Sequence, residues 1–171
     1  MLLDASIVIE AHKISVWENL IERIEIIVSS IVAHQESLFY SKEEGGIPEA
    51  INLKRLIDIR KIKEISATQK EMSLFLNKFD RLFVTRLHEG EAESLSLIMG
   101  DRTKDTLYCS SDATAIQALA MIGFLDKGVS METMLQQIGL QKRLQRQFNE
   151  KFFKHHLKKG RENYITGQGL K

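Results

Sequence analysis

Five acidic side chains lie at predicted strand ends or within the first two turns of predicted helices, and these are the residues best placed to do chemistry. They are Asp4, Glu36, Glu91, Glu93 and Asp112. In open α/β sheets, reactive crevices lie beyond the carboxyl ends of the strands. Carboxylates gathered there repel one another, and they are stable together only when protons or cations neutralise them. Because oxygen ligands suit Mg²⁺ or Mn²⁺ better than zinc or copper, we predict a pocket for one of these ions.

Each acid taken alone also has a local interpretation. Asp112 precedes an apolar helical pattern, where it would serve as an N-cap. Glu91 and Glu93 lie in the first turns of a predicted helix, where the helix dipole favours negative charge. Glu36 could be a solvated helix residue, and Asp4 could cap a helix that starts nearby. These alternatives stay open for each residue, so the prediction depends on all of the acids meeting in space.

Strand-like and helix-like patterns alternate along the chain, which predicts an α/β fold with a mostly parallel sheet. Strands are predicted at residues 2–6, 25–30 and 105–109, with a strand or sheet edge at 56–65. One or two short helices are predicted within 7–24, and a loop at 40–51. Further helices are predicted at 31–39, 68–79, 87–99, 111–122, 131–138 and 140–159.

Charge is unevenly distributed along the 171 residues, although 24 Lys and Arg nearly balance 23 Asp and Glu. Residues 141–171 contain nine basic and two acidic residues, whereas residues 1–140 contain 15 basic and 21 acidic ones. An acidic body with a basic tail suggests a polyanionic partner. A single cysteine, Cys109, excludes an intrachain disulfide and fits a cytoplasmic protein. Apolar stretches are too short to span a bilayer, so no membrane partner is expected.

Four segments, in order, resemble the PIN-domain family of metal-dependent nucleases, in the branch with a Gly-Glu-Ala-Glu motif. The resemblance extends from residue 2 to about residue 139. Ser111 stands where that branch often has an acid or Asn, and residues 40–86 match no motif. The resembling segments are LLDAS at 2–6, VAHQE at 32–36, GEAESLSL at 90–97, and residues 107–123.

The resemblance implies a PIN-like three-layer sandwich over residues 1–139, followed by a basic amphipathic C-terminal helix and tail over residues 140–171. It also implies a ribonuclease in which Mg²⁺ or Mn²⁺ is bound by Asp4, Glu36, Glu91 and Asp112. Glu93 would point about 200° away from Glu91 on a helix, so Glu91 is predicted to face the metal. The residues expected to support the four acids are Ser6, Ser110 and Glu93.

The basic tail is predicted to contact RNA phosphates on one face and to pack its apolar residues on the body. His155 and His156 are interpreted as exposed surface histidines. Relatives of this kind imply two further partners, an antitoxin protein that blocks the acidic pocket and a second copy in a homodimer. The predicted RNA contacts are Lys142, Arg143, Arg146, Lys158 and Lys159.

Other functions remain open beside the ribonuclease. A PIN-like protein could bind RNA or a protein partner without cutting, and Ser111 and the extended tail favour this alternative. A phosphoacceptor receiver domain would need paired acids after the first strand, and a dinucleotide-binding domain would need a G-x-G-x-x-G turn there. Neither pattern follows residues 2–6.

Overall fold

Five short parallel strands form the central sheet in the computed structural model, which describes residues 1–43, 45–103 and 105–171. All strands of the described residues are β1 (Leu2–Leu3), β2 (Ile27–Ser29), β3 (Phe39–Tyr40), β4 (Glu49–Ala50), β5 (Lys63–Ile65), β6 (Tyr108–Cys109) and β7 (Gly128–Val129). The order across the central sheet is β5-β2-β1-β6-β7, so β1 is the middle strand. A separate antiparallel pair joins β3 to β4.

Helices cover both faces of this sheet. The first face is covered by α1 (Ala5–Lys13), α2 (Trp17–Arg23) and α8 (Met131–Gln137), and the second by α4 (Gln69–Leu76), α6 (Glu89–Met99) and α7 (Ala113–Met121). Three further helices are α3 (Leu53–Asp58), α5 (Arg81–Val84) and α9 (Glu150–Thr166).

Alternate strand residues point to opposite faces and produce two apolar cores. Leu3, Val28 and Cys109 pack against the first set of helices. Their chain neighbours Leu2 and Tyr108 pack against the second set. This alternation is the two-residue period of a strand buried on both sides. The predicted α/β class with a parallel sheet between layers of helices is therefore confirmed.

Several predicted boundaries differ from the structure. The strand predicted at 2–6 ends at Leu3, because the Asp4 side chain accepts a hydrogen bond from the Ala5 N–H and α1 starts there. The helix predicted at 31–39 is a π-helical turn, Val32–Glu36. Most of the strand predicted at 56–65 belongs to α3 and the turn that follows it, and only its end forms β5. Glu44, within the loop predicted at 40–51, lies outside the described residues.

The helix predicted at 140–159 was wrong at both ends. Leu140, Leu144 and Phe148 follow a four-residue spacing that imitates a helix, but the chain there is irregular and ends in the 3-10 turn Arg146–Phe148. The Asn149 side chain then accepts the Phe152 N–H and starts α9. The apolar residues nevertheless pack on the body as expected, since Phe148 and Phe153 are buried.

The long C-terminal helix α9 lies directly against α7. Gly160 makes this close approach possible, because a Cβ there would collide with the backbone of Gln117. Within the contact, the Gln117 side chain lies beside His156 at 3.2 Å and accepts a 3.4 Å hydrogen bond from the buried Asn163 amide. No helix in the described ranges is long and apolar enough to cross a membrane.

Candidate active site

Four acidic side chains from widely separated segments line one open cavity of about 430 Å³. Asp4 follows β1, Glu36 ends the π-helical turn after β2, Glu91 lies in the first turn of α6, and Asp112 lies between β6 and α7. The cavity therefore lies beyond the carboxyl ends of the central strands, as the sequence predicts. Its other lining residues are Ala5, Ser6, Ile9, His88 and Ser111.

Asp4 is the deepest of the four acids and is held by three donors. Its Oδ1 accepts the Ala5 N–H at 2.8 Å, and its Oδ2 accepts the hydroxyls of Ser6 at 2.9 Å and Ser110 at 3.0 Å. Burial raises the pKa of Asp4 to about 6, although these hydrogen bonds oppose the shift. Ser6 and Ser110 thus occupy the supporting positions that the sequence predicted for them.

Glu91 has the most strongly perturbed carboxyl in the cavity. Its Oε2 accepts the backbone N–H of His88 at 3.0 Å, which fixes the side chain at the start of α6. Burial raises its pKa to about 9, and the negative charges of Asp4 and Asp112 add to the effect. A buried glutamate surrounded by other carboxylates binds a proton tightly unless a cation takes the place of that proton.

The remaining two acids are anchored by backbone donors. Glu36 Oε1 accepts the N–H of Gly90 at 3.0 Å, which ties the π-helical turn to the start of α6. A Cβ on residue 90 would overlap the Glu36 carboxylate, so the glycine leaves room for it. Asp112 Oδ1 accepts the N–H groups of Thr114 at 2.6 Å and Ala115 at 2.9 Å. The local N-cap interpretation of Asp112 is therefore confirmed, and it coexists with a position on the cavity wall.

One oxygen on each of three acids is free of hydrogen-bond donors from the described part of the chain. The backbone N–H groups that bind these acids donate to the opposite oxygen in each case. The free oxygens are therefore Glu36 Oε2, Glu91 Oε1 and Asp112 Oδ2. Hard oxygen donors around a shared cavity are the type of set that Mg²⁺ or Mn²⁺ prefers. Among the described residues, however, no three His, Cys, Asp or Glu side chains stand close enough to form a ready ligand set.

Glu93 is not brought to the acidic cavity, although the sequence grouped it with the supporting residues. It is buried on the opposite side of α6, where Oε1 accepts the Ser30 hydroxyl at 2.8 Å and the Ala67 N–H at 3.1 Å. Its Oε2 accepts the Ile31 N–H at 2.8 Å. Glu93 therefore fastens α6 to the segments that follow β2 and β5.

Four residues of the cavity wall were not among the predicted site residues, namely Ala5, Ile9, His88 and Ser111. His88 directly precedes the Gly-Glu-Ala-Glu motif, and its backbone contact with Glu91 follows from the geometry of a helix start. Its place beside this motif was the only feature of the sequence that pointed to His88. Ile9 could not be predicted as a cavity residue, because an apolar residue in a helical pattern indicates a position in the core.

The five predicted RNA contacts of the tail lie on different surfaces. Lys142 lines a groove beside α8, and Lys159 lines a small cavity with Arg86 and Gln117. Lys158 forms an exposed ion pair with Glu162, at 3.8 Å. Arg143 is exposed, and Arg146 lines a pocket at the start of α9.

Comparisons with known proteins add no identity to this arrangement. The chain matches no family model, no curated protein and no solved structure at a significant level.

Proposed function

We propose that this protein is a PIN-like, metal-dependent ribonuclease that hydrolyses phosphodiester bonds in single-stranded RNA. One observation carries the proposal: carboxylates from four distant segments converge on a single cavity at the carboxyl edge of a parallel sheet. The raised pKa values of Asp4 and Glu91 support it, because ionisable groups perturbed by burial and, to a smaller extent, by neighbouring acids cluster at functional sites. The resemblance of the four acid-bearing segments to the family motifs points in the same direction.

The chain's own residues would orient the acids around the substrate. The Ser6 and Ser110 hydroxyls hold Asp4 Oδ2, and the Gly90 N–H holds Glu36 Oε1. The first turn of α7 holds Asp112 Oδ1 and leaves Oδ2 without a donor from the described residues. When bound, a Mg²⁺ or Mn²⁺ ion would polarise the phosphate and acidify the attacking water. Without such a cation, the carboxylates would repel a phosphodiester, so binding and cleavage should both favour the metal-loaded protein.

The test is cleavage of a single-stranded RNA labelled at both ends, with Mn²⁺ or with EDTA. Asp4→Asn keeps the size of the side chain and an oxygen that can cap α1, but it removes the charge. Asp58→Asn is the matched control, because Asp58 is an exposed aspartate at the end of α3, outside the cavity. We expect Mn²⁺-dependent cleavage by the wild type and by Asp58→Asn, and a loss of at least about 100-fold in Asp4→Asn, the range typical of a removed electrostatic contact to a transition state.

Equal cleavage by Asp4→Asn and the wild type would refute the proposed site. Absence of cleavage with every divalent ion tested would refute the hydrolase itself and would favour the PIN-like protein that binds without cutting. Circular dichroism of each variant separates a lost reaction from a lost fold.

A further inference from the structure

A second pocket lies at the start of α9 and combines two cations with aromatic rings. Its volume is about 330 Å³, and its lining residues are Arg146, Asn149, Lys151, Phe152 and His155. We call it the α9 pocket. Of these residues, only Arg146 was among the predicted RNA contacts.

The two cations of the α9 pocket are available to an anion. Neither Arg146 nor Lys151 has a carboxylate within ion-pair distance in the described part of the chain, and both are exposed. Two other lysines of the same helix are engaged, since Lys154 pairs with Glu150 at 3.1 Å and Lys158 pairs with Glu162. The α9 pocket therefore offers two exposed cations that no carboxylate of the described residues pairs with.

The aromatic wall of the α9 pocket is supported from behind by another ring. Phe152 is half-buried, and its ring centroid lies 4.3 Å from that of His156 at an interplanar angle of 54°. His155 meets His156 edge to face at 4.9 Å. A ring supported in this way keeps its orientation, which is what a stacking surface for a nucleobase requires.

The α9 pocket is also connected to the acidic cavity through α7. His156 lies beside Gln117 on α7, and α7 begins at the cap residue Asp112, which lines the cavity. The negative charge of Asp112 acts on His156 and opposes the lowering of the histidine pKa by burial. His156, which touches the Phe152 ring of the α9 pocket, is thus within electrostatic range of one acid of the cavity.

We infer that the α9 pocket binds one nucleotide of single-stranded RNA, with the base against Phe152 and the phosphate against Arg146 and Lys151. This inference rests on the proposed function, because it supplies the attractive contacts that an acidic cavity cannot offer to RNA. Phosphate contacts from Lys and Arg combined with stacking on an aromatic ring are the usual components of single-strand recognition. An acidic polypeptide would use the cations but would have no need of the ring.

Binding is measured by fluorescence anisotropy with a labelled single-stranded RNA of about 10 nucleotides, a length typical of single-strand sites. EDTA is present throughout, so neither metal binding nor cleavage influences the result. We expect Phe152→Leu to weaken binding about 5- to 150-fold, the range for loss of one base stack. Lys151→Ala and Arg146→Ala should each weaken it several-fold and reduce the slope of log affinity against log salt by about 0.7.

Arg161→Ala is the matched control, because it removes one exposed charge from the same helix, outside the α9 pocket and outside the five predicted RNA contacts. Unchanged folding of Phe152→Leu is checked by circular dichroism, and Lys151→Ala tests the pocket independently of any packing change. Equal weakening by Arg161→Ala and Lys151→Ala would overturn the inference, because it would mean that only the overall charge matters. It would equally be overturned if poly-glutamate displaced the RNA while Phe152→Leu had no effect, which would indicate a docking surface for an acidic polypeptide.

The RNA-binding test of the α9 pocket is independent of whether the protein hydrolyses RNA. Weaker binding in the pocket variants with no cleavage by the wild type would support the pocket and refute the ribonuclease. Cleavage that requires Asp4, with RNA binding insensitive to the three pocket substitutions, would support the ribonuclease and refute the pocket.

Discussion

Binding of Mn²⁺ to the acidic cavity should release about one proton at neutral pH, and the source of that proton should be Glu91. The pKa of Glu91 is raised to about 9, so this carboxyl is protonated in the metal-free protein at pH 7.5. A metal ligand must be deprotonated, so the ion displaces the proton. Between about pH 6.5 and 8.5, the apparent affinity for Mn²⁺ should therefore rise about tenfold for each pH unit.

The dependence should become steeper at lower pH. Asp4 has a pKa of about 6, so below that value a second proton must leave and the rise should approach a hundredfold for each pH unit. Isothermal titration calorimetry in buffers of different ionisation enthalpy counts the released protons directly. Glu91→Gln should remove the proton release above pH 6.5, and Asp58→Asn should behave like the wild type.

The same shift predicts how the metal-free protein responds to pH. The folded-state pKa of Glu91 lies above its ordinary value of 4.5, so the folded state holds the proton more tightly than the unfolded chain. The contribution of Glu91 to the stability of the fold is therefore fully present below about pH 4.5 and is lost as the pH rises through 9.

The prediction for metal binding has a clear refuting result. An Mn²⁺ affinity that does not change between pH 6.5 and 8.5, or an equal pH slope in Glu91→Gln, would refute the reasoning.

Three further predictions concern the frame around the cavity. Glu93→Ala should lower the free energy of unfolding by about 2–4 kcal/mol in urea titrations, because three donors lose their acceptor, whereas Glu93→Gln should cost less. Gly160→Val should lower it by about 1–3 kcal/mol or more, since its Cβ would meet the backbone of Gln117; a thermal midpoint equal to that of the wild type would contradict the close packing of α9 on α7. Cys109 should resist Ellman's reagent at pH 8 until the protein is unfolded, because burial raises the pKa of its thiol, and rapid reaction of the folded protein would show that β6 is accessible.

The sequence was sufficient to predict the layers of the fold and the convergence of the acids. Strong helical patterns such as those of α4, α6 and α7 were predicted to within three residues at each end. Acids that directly follow strands meet because parallel strands share a carboxyl edge, so Asp4 and Asp112 could be placed together before any coordinates. Elements that depend on tertiary contacts were harder to predict from the sequence. The two-residue strand β7 has no pattern of its own and exists because it pairs with β6.

The role of Glu93 shows the limit of spacing arguments at the site. Its direction, away from Glu91, could be predicted from the helical period. Its partners could not, because they are backbone groups of Ile31 and Ala67 brought there by the ends of two other strands. The tail posed the same difficulty, since a four-residue spacing of apolar residues fits both a helix and an irregular segment that packs on the body.

The two buried glutamates of α6, Glu91 and Glu93, also make the protein sensitive to the register of that helix. Ala92 separates them, and each helical residue turns the side-chain direction by about 100°. A one-residue deletion before Glu91 would rotate both carboxylates out of place at once, leaving the cavity without one acid and the strand-end donors without their acceptor. Errors of register in α6 would therefore abolish the fold and the chemistry together, so a folded molecule with a misaligned cavity should not accumulate.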